Sequence, residues 1–178
     1  MTIPLASNGS FTEMIVAFLR DNQYLADPLV FILGFAEGVP VVSLFVPSSA
    51  LFLAIGSMQG AFGGSFTSLW LSATVGAILG DLVTYALGRY FKNDAQHVWP
   101  LSRRPELLTK GRNLIHRWGI LAILGGKFLG FMRPFLPITA GVMEMNFIVF
   151  CCASVLSSLV WSGVFLAPGF GLLQLANP

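Results

Sequence analysis

The chain has 178 residues, of which 55% are hydrophobic and 10% are charged. Soluble domains carry about 25% charged residues, so this composition excludes an ordinary soluble protein and predicts one domain integral to a membrane. The net charge of +2 says little by itself, but the positions of the charges are informative.

Residues 1–27 are predicted to lie outside the membrane core. Residues 1–10 are polar, and residues 11–24 mix charged residues with apolar ones at helical spacing. The apolar positions are Phe11, Ile15, Phe18 and Leu19. This spacing is typical of an amphipathic helix in the membrane interface. The opening residues lack the pattern of a removable signal peptide, so we expect none.

Residues 28–58 are apolar apart from Glu37, yet glycine and proline interrupt the stretch, the last time at Pro47. Each uninterrupted piece is shorter than the roughly 20 residues that a straight membrane crossing needs. We therefore predict two half-helices that form a re-entrant hairpin. Ser48 and Ser49 follow Pro47, and hydroxyl residues beside a proline are typical of a helix start.

Residues 69–91 form the first clear membrane crossing, because they are apolar and long enough to span. Asp81 lies in this span, with Tyr85 one turn further along the same face. A set of small residues recurs every four positions, namely Gly76, Gly80, Thr84 and Gly88. Small residues at this spacing let a second helix approach closely.

Residues 92–117 form a basic segment that holds most of the positive charge. By the positive-inside rule this segment is cytoplasmic, and the glycine-rich loop at residues 59–68 lies on the opposite side. Orienting the protein is a sufficient role for the segment, and binding of anionic lipid headgroups is the alternative. His97 and His116 lie in or near it without metal-ligand spacing, so we expect no metal site and no cofactor.

Residues 125–141 combine helix breaks with two cations, Lys127 and Arg133, and an apolar crossing follows at residues 147–173. A cation at bilayer depth costs about 3 kcal/mol on insertion scales unless it meets an anion or a water-filled cavity. Irregular backbone is tolerated there only where protein or a cavity borders it. The predicted breaks are Gly126, Pro137 and Gly141. These features predict a binding site for an anion.

The two halves of the chain align with each other. An offset of 90 residues superimposes Glu37 on Lys127, and an offset of 80 superimposes the two crossings. A hairpin plus a crossing therefore occurs twice, at residues 28–91 and 118–173. The predicted fold is an all-α integral membrane protein in which these units form an inverted repeat, because one crossing separates the hairpins. Such folds bind their substrate near the bilayer midplane.

The same residues carry a resemblance to a known family. The matching positions are Glu37, Pro47, Gly80-Asp81, Tyr85, Gly88-Arg89, Gly126-Lys127-Phe128, Arg133, Pro137 and Ala140-Gly141. Over about residues 11–173 the chain resembles the DedA family, also called the SNARE-associated or VTT-domain family. The resemblance implies a protein of the bacterial inner membrane that moves phospholipids or polyprenyl phosphates, commonly undecaprenyl phosphate, with proton coupling proposed.

Three positions depart from the family pattern. Lys127 stands where arginine is usual, which keeps the charge but loses the bidentate fork. Ser49 stands where many members carry a second acid, and Gly130 replaces a frequent proline. The ending at residues 166–169 looks like members that are fused to a PAP2-type lipid phosphatase, so a fused or associated phosphatase is an expected partner.

Arg133 is the principal candidate for headgroup binding, because its planar guanidinium matches phosphate oxygens with two hydrogen bonds. Glu37 and Asp81 are candidate proton carriers, since burial and nearby cations both act on a carboxyl group. In the opposing interpretation, these acids and cations pair with one another and bind no ligand. The other residues predicted to contact the headgroup are Lys127, Ser48, Ser49 and Thr139.

We therefore expect a transporter, or flippase, of phosphate-bearing lipids and not an enzyme, since the sequence offers no nucleophile or metal-ligand motif. The alternatives are the membrane module of a lipid phosphatase and an assembly factor that transports nothing. The expected partners are membrane lipids with an anionic phosphate headgroup. The sequence leaves a homo-oligomer open, and nothing in it indicates binding to nucleic acid.

Overall fold

The computed structural model describes residues 22–40, 48–61, 63–92, 105–129 and 132–176, and its regular elements in these ranges are all helical. A short 3-10 turn at Gln23–Leu25 precedes the first α-helix. The α-helices are α1 (Ala26–Gly38), α2 (Ser48–Ala61), α3 (Phe66–Phe91), α4 (Pro105–Trp118), α5 (Ile120–Gly126), α6 (Phe135–Val142) and α7 (Phe147–Ala176). The predicted interfacial helix, most of which precedes residue 22, and the predicted break at Pro47 lie outside the described residues.

Helices α3 and α7 are long and apolar enough to cross a membrane. The 26 residues of α3 extend about 39 Å, which exceeds the roughly 30 Å of a bilayer's hydrocarbon core. One face of α3 leaves large apolar side chains exposed at every fourth position, as expected for a face that meets lipid. These side chains are Leu71, Val75, Leu79, Val83 and Leu87. Both crossings predicted from the sequence are therefore present as single helices.

The shorter helices divide between the two long ones. Helix α1 packs on α3, and α2 packs on α7. In the second half of the chain, α5 packs on α7, and α6 packs on α3. Each half thus contributes one short helix to its own long helix and one to the long helix of the other half.

Glycines bring the helices into backbone contact. A methyl group added at Gly38 of α1 would lie 2.6 Å from the backbone of Gly80 in α3, and one added at Gly34 would lie 2.6 Å from the Ala73 carbonyl oxygen. The Thr84 hydroxyl donates a hydrogen bond of 2.7 Å to the Gly38 carbonyl oxygen across the same contact. The stripe of small residues predicted on α3 is therefore a packing surface: α1 packs on Gly76, Gly80 and Thr84, and α6 packs on Gly88.

Two boundaries differ from the predictions. The loop expected at residues 59–68 is shorter, because α2 continues to Ala61 and α3 begins at Phe66, where the Ser65 side chain caps it. Helix α6 begins at Phe135, so Pro137 lies in its first turn and does not open it. Proline is tolerated there because the first backbone N–H groups of a helix have no intrahelical partner.

Helix α4 lies within the predicted basic segment and covers α6. Its apolar face packs Leu107 and Leu108 against Phe135 and Ile138 of α6. Its charged side chains, among them Lys110, Arg112 and Arg117, lie on the exposed face. The amphipathic pattern of α4 thus joins the basic segment to the second predicted hairpin.

Candidate functional site

Within the described residues, four charged side chains are buried among the helices, and they form two ion pairs. Glu37 is 5% exposed, Asp81 2%, Lys127 6% and Arg133 7%. These are the two acids and two cations that the sequence singled out. Burial of ions at this depth requires pairing, because an isolated buried charge costs several kcal/mol.

The first pair joins Asp81 of α3 to Lys127, which directly follows α5. The Lys127 Nζ atom lies 2.7 Å from the Asp81 Oδ2 atom. Lys127 also donates a hydrogen bond to the Ser158 hydroxyl of α7. The Ser154 hydroxyl donates to the same Asp81 oxygen at 2.6 Å. This cluster is closed, since its ammonium has two acceptors and its carboxylate has two donors.

The second pair joins Glu37, near the end of α1, to Arg133, two residues before α6. The Arg133 Nη1 atom forms an ion pair with the Glu37 Oε2 atom. The Arg133 Nε and Nη2 atoms are buried and have no hydrogen-bond partner within the described ranges. Each such donor costs about 1–3 kcal/mol when it is left unsatisfied. The Nε–Nη2 edge of Arg133, called the open edge below, therefore has no acceptor in the described residues.

The geometry of guanidinium decides what could fill the open side. The Nε and Nη2 atoms share one edge of the planar group, and that edge matches two oxygens of a phosphate or carboxylate. The opposite part of the group is occupied by Glu37. One face lies over the indole ring of Trp161, with the Arg133 Cζ atom 3.7 Å from the ring centroid. The open edge thus presents two donors at the spacing of two acceptor oxygens of one anion.

Comparison with known proteins decides the family. Residues 46–170 match the VTT domain. The chain belongs to the DedA family of VTT-domain membrane proteins. The resemblance drawn from the sequence is thereby confirmed.

Relatives of this DedA protein are described as membrane proteins. The chain is 30% identical over 173 residues to inner membrane protein YqjA of Escherichia coli, which covers 90% of this chain and 78% of YqjA. It is 30% identical over 153 residues to inner membrane protein YabI of the same species, covering 85% of this chain and 60% of YabI. It is 29% identical over 155 residues to the uncharacterized membrane protein BU139 of Buchnera aphidicola, covering 87% of this chain and 60% of that protein.

The chain of this DedA protein spans about 60% of the length of two of these relatives, YabI and BU139. No solved structure matches it. The relatives described as inner membrane proteins agree with the two membrane-length helices found here. A location in a membrane therefore rests on both the family and the fold.

The remaining predicted residues of the DedA site have contacts or positions of their own in the structure. Thr139 is buried and donates its hydroxyl to the Phe135 carbonyl oxygen at 2.7 Å, and it lies under Gly111 of α4. Gly141 lets α6 approach the Tyr85 backbone, and Gly126 is the last residue of α5. Ser48 and Ser49 are in the first turn of α2. The structure thus gives Thr139 and Gly141 packing contacts with neighbouring helices.

Several polar residues of the DedA site were missed as candidates from the sequence. Ser154, Ser158 and Ser162 are fully buried on one face of α7, and Ser162 lies 2.8 Å from the Thr74 hydroxyl of α3. Serines spaced by four within an otherwise apolar span are a signal that could have found them. A polar face inside a membrane helix usually turns towards other polar groups and away from lipid.

Proposed function

We propose that this protein moves phosphate-bearing lipids, undecaprenyl phosphate or a glycerophospholipid, from one leaflet of the membrane to the other. The observation that carries the proposal is the buried Nε–Nη2 edge of Arg133, whose two donors lack partners in the described parts of the chain. A phosphate group supplies two acceptor oxygens at the spacing of this edge. The lipid tail would remain in the bilayer while the headgroup occupies the protein.

Arg133 has the leading role in this proposal, and Lys127 has a supporting one. Lys127 is held by Asp81 and Ser158, so it could reach a headgroup only by leaving that cluster. While the cluster is intact, it fixes the chain after α5 against both long helices.

The crossed packing of the short helices supports alternating access. In an inverted repeat, equivalent elements of the two halves make equivalent contacts, and here each half places one short helix on each long helix. The pair between Glu37 and Arg133 connects the first half to the second. Movement of one hairpin against the other would have to change this pair, and this supports a headgroup site at the contact between the halves.

Proton coupling would act through Glu37. A phosphate bound at Arg133 competes with Glu37 for the positive charge, and two anions beside one cation are unfavourable in a low-dielectric site. Proton uptake by Glu37 as the headgroup arrives would relieve this repulsion. Asp81 is less suited to this role, because Lys127 and Ser154 already compensate its charge.

The test is transport in reconstituted vesicles. Purified protein is placed in liposomes with NBD-labelled phosphatidic acid, and the label exposed on each leaflet is followed by dithionite quenching. We expect Arg133→Gln to abolish transport, while the exposed control Lys92→Gln behaves as the unmodified protein. Transport by Arg133→Gln at the unmodified rate would contradict the proposal.

A second candidate function is that of an assembly factor that transports nothing. The observation in its favour is that all four buried charges form ion pairs within the chain. In that case Arg133→Gln should lower thermal stability and function to the same degree. Loss of transport with a nearly unchanged melting temperature would instead support the transporter.

We also propose that the chain has no catalytic step of its own.

A further inference from the structure

The indole ring of Trp161 is the largest neutral group in contact with Arg133. Trp161 lies in the middle of α7 and is 1% exposed. The Arg133 Cζ atom lies 3.7 Å from its ring centroid, well within the range of about 6 Å over which a cation is attracted to an aromatic face. One face of the guanidinium is therefore covered by an aromatic surface.

Two other aromatic rings hold this surface in place. Phe52 of α2 meets the indole edge to face, with ring centroids 5.0 Å apart and planes at 89°. Phe165, one turn along α7, lies 5.2 Å from it. Phe52 is fully buried, and Phe165 packs against the same hydrophobic core. The indole ring is thus locked by contacts from the first and second halves of the chain.

An aromatic face stabilises a guanidinium without neutralising its charge. A second carboxylate in the same place would add negative charge beside Glu37 and repel an anionic headgroup. Nor does the ring face use any N–H group of Arg133, so the two donors of the open edge stay available. Glu37 occupies Nη1, and the indole occupies one face. An acceptor group must therefore reach the two remaining donors in the plane of the guanidinium, since the N–H bonds lie in that plane and Trp161 covers one face.

We propose that Trp161 is the positioning residue of the anion site, which holds the Arg133 guanidinium so that its Nε–Nη2 edge faces an incoming group with two acceptor oxygens. This inference rests on the proposed function, because it assigns a role at the same site. It adds that selectivity for a headgroup depends on a residue that makes no hydrogen bond to that headgroup. Trp161 acts through Arg133 alone.

The test measures binding to the full-length protein in detergent by isothermal titration calorimetry, with dioctanoyl phosphatidic acid as the probe. We expect Trp161→Leu to weaken binding about tenfold, because binding must then order a released arginine side chain, which costs roughly that factor. Trp161→Phe keeps an aromatic face and should retain most of the affinity. Trp70→Leu is the matched control, because Trp70 donates to the Leu159 carbonyl oxygen at 2.9 Å and lines a surface groove with Val160 and Val164.

The outcomes separate this inference from the proposed function. If Arg133→Gln loses binding and Trp161→Leu keeps it, the role of Trp161 is wrong and the anion site stands. If Arg133→Gln binds the probe as tightly as the unmodified protein, the anion site itself is wrong, and the role of Trp161 with it. Affinity for the probe that is retained in Trp161→Phe and weakened in Trp161→Leu supports the inference.

A spectroscopic measurement covers the case in which Trp161→Leu does not fold. Replacing the other tryptophans, Trp70, Trp99 and Trp118, with phenylalanine leaves Trp161 as the sole fluorophore. We expect its emission to shift when phosphatidic acid binds, because the charge beside the indole changes, and to be unaffected in the Arg133→Gln background. Binding detected by calorimetry without any change in this emission would overturn the role of Trp161.

Discussion

Arg133 and Lys127 occupy opposite chemical situations although both are buried cations six residues apart. Lys127 has a carboxylate and a hydroxyl as partners, whereas Arg133 keeps two donors without partners in the described residues. Arginine suits the open position because its planar fork offers several donors in fixed directions. Lysine suits the closed position, because a compact ammonium can be saturated by a few oxygens.

The closed cluster predicts a strong dependence of stability on matched charges. Replacing Lys127 by methionine leaves Asp81 as an uncompensated buried charge, which should destabilise the protein by about 3–5 kcal/mol. The double variant Asp81→Asn/Lys127→Met removes both charges and should recover most of that loss. Thermal unfolding in detergent measures both effects. A double variant that is as unstable as the sum of the single variants would show that the pair is not coupled.

An exposed ion pair predicts a small pH effect. The hydrogen bond and charge of Lys92, 2.7 Å away, lower the pKa of Glu144 below its ordinary value of 4.5. The pair therefore contributes stability above the ordinary pKa, and the contribution is lost as the pH falls through the lowered one. The melting temperature of Glu144→Gln should lie slightly below that of the unmodified protein at neutral pH. The difference should vanish in acid, and a difference that grows in acid would contradict this assignment.

At the scale of helices, glycine determines which pairs of elements can touch. A side chain at Gly38 would meet the backbone of α3, which cannot give way as a flexible side chain can. By contrast, a methyl group at Gly125 of α5 meets nothing within 4 Å. Two glycines in apolar helices thus have different roles, which the sequence alone does not distinguish.

This contrast gives a matched pair of substitutions. Gly38→Ala should lower the free energy of unfolding by about 1–3 kcal/mol, because the helices must move apart. Gly125→Ala should be neutral or raise it by up to about 1 kcal/mol, because alanine favours the helical state. Thermal unfolding with detergent held constant compares the two. Equal destabilisation by both changes would contradict the close backbone approach at Gly38 as the cause.

The sequence predicted the helices better than their ends. Length and hydropathy identified both long helices, since a membrane crossing imposes a minimum length on an apolar segment. Pro137, predicted as a helix break, lies in the first turn of α6, which begins at Phe135. Proline is compatible with any position in a helix's first turn, so its presence marks that turn but not the first residue. The pairing partners could not be predicted, because they depend on which helices become neighbours.

At the scale of the whole molecule, the pair between Glu37 and Arg133 connects the two halves that the crossed packing interlocks. The sequence supplied both residues and the idea that they pair, and this pair is present. It could not supply the open edge of Arg133, which exists only because Glu37 approaches from one side and Trp161 covers one face. Such an edge depends on three elements distant in sequence.

Exchanging the charges of Glu37 and Arg133 separates two roles of this pair, which are the attraction between the halves and the binding of a headgroup. Glu37→Arg and Arg133→Glu should each be destabilising, and the double exchange should restore the attraction between the halves. We nevertheless expect the double variant to transport little phosphatidic acid, because the guanidinium then extends from α1 and its edge is no longer set by Trp161. The vesicle assay and thermal unfolding together check this. Recovery of both stability and transport would favour a purely structural pair.

Helix α4 packs on α6 and therefore connects the region of the buried site to an exposed surface. Leu107 and Leu108 pack against α6, which begins two residues after Arg133, while the opposite face of α4 is exposed. A soluble protein that binds the exposed face of α4 could restrain α6 without entering the bilayer. An antibody fragment that binds the exposed face of α4 would then slow the proposed lipid movement without entering the membrane.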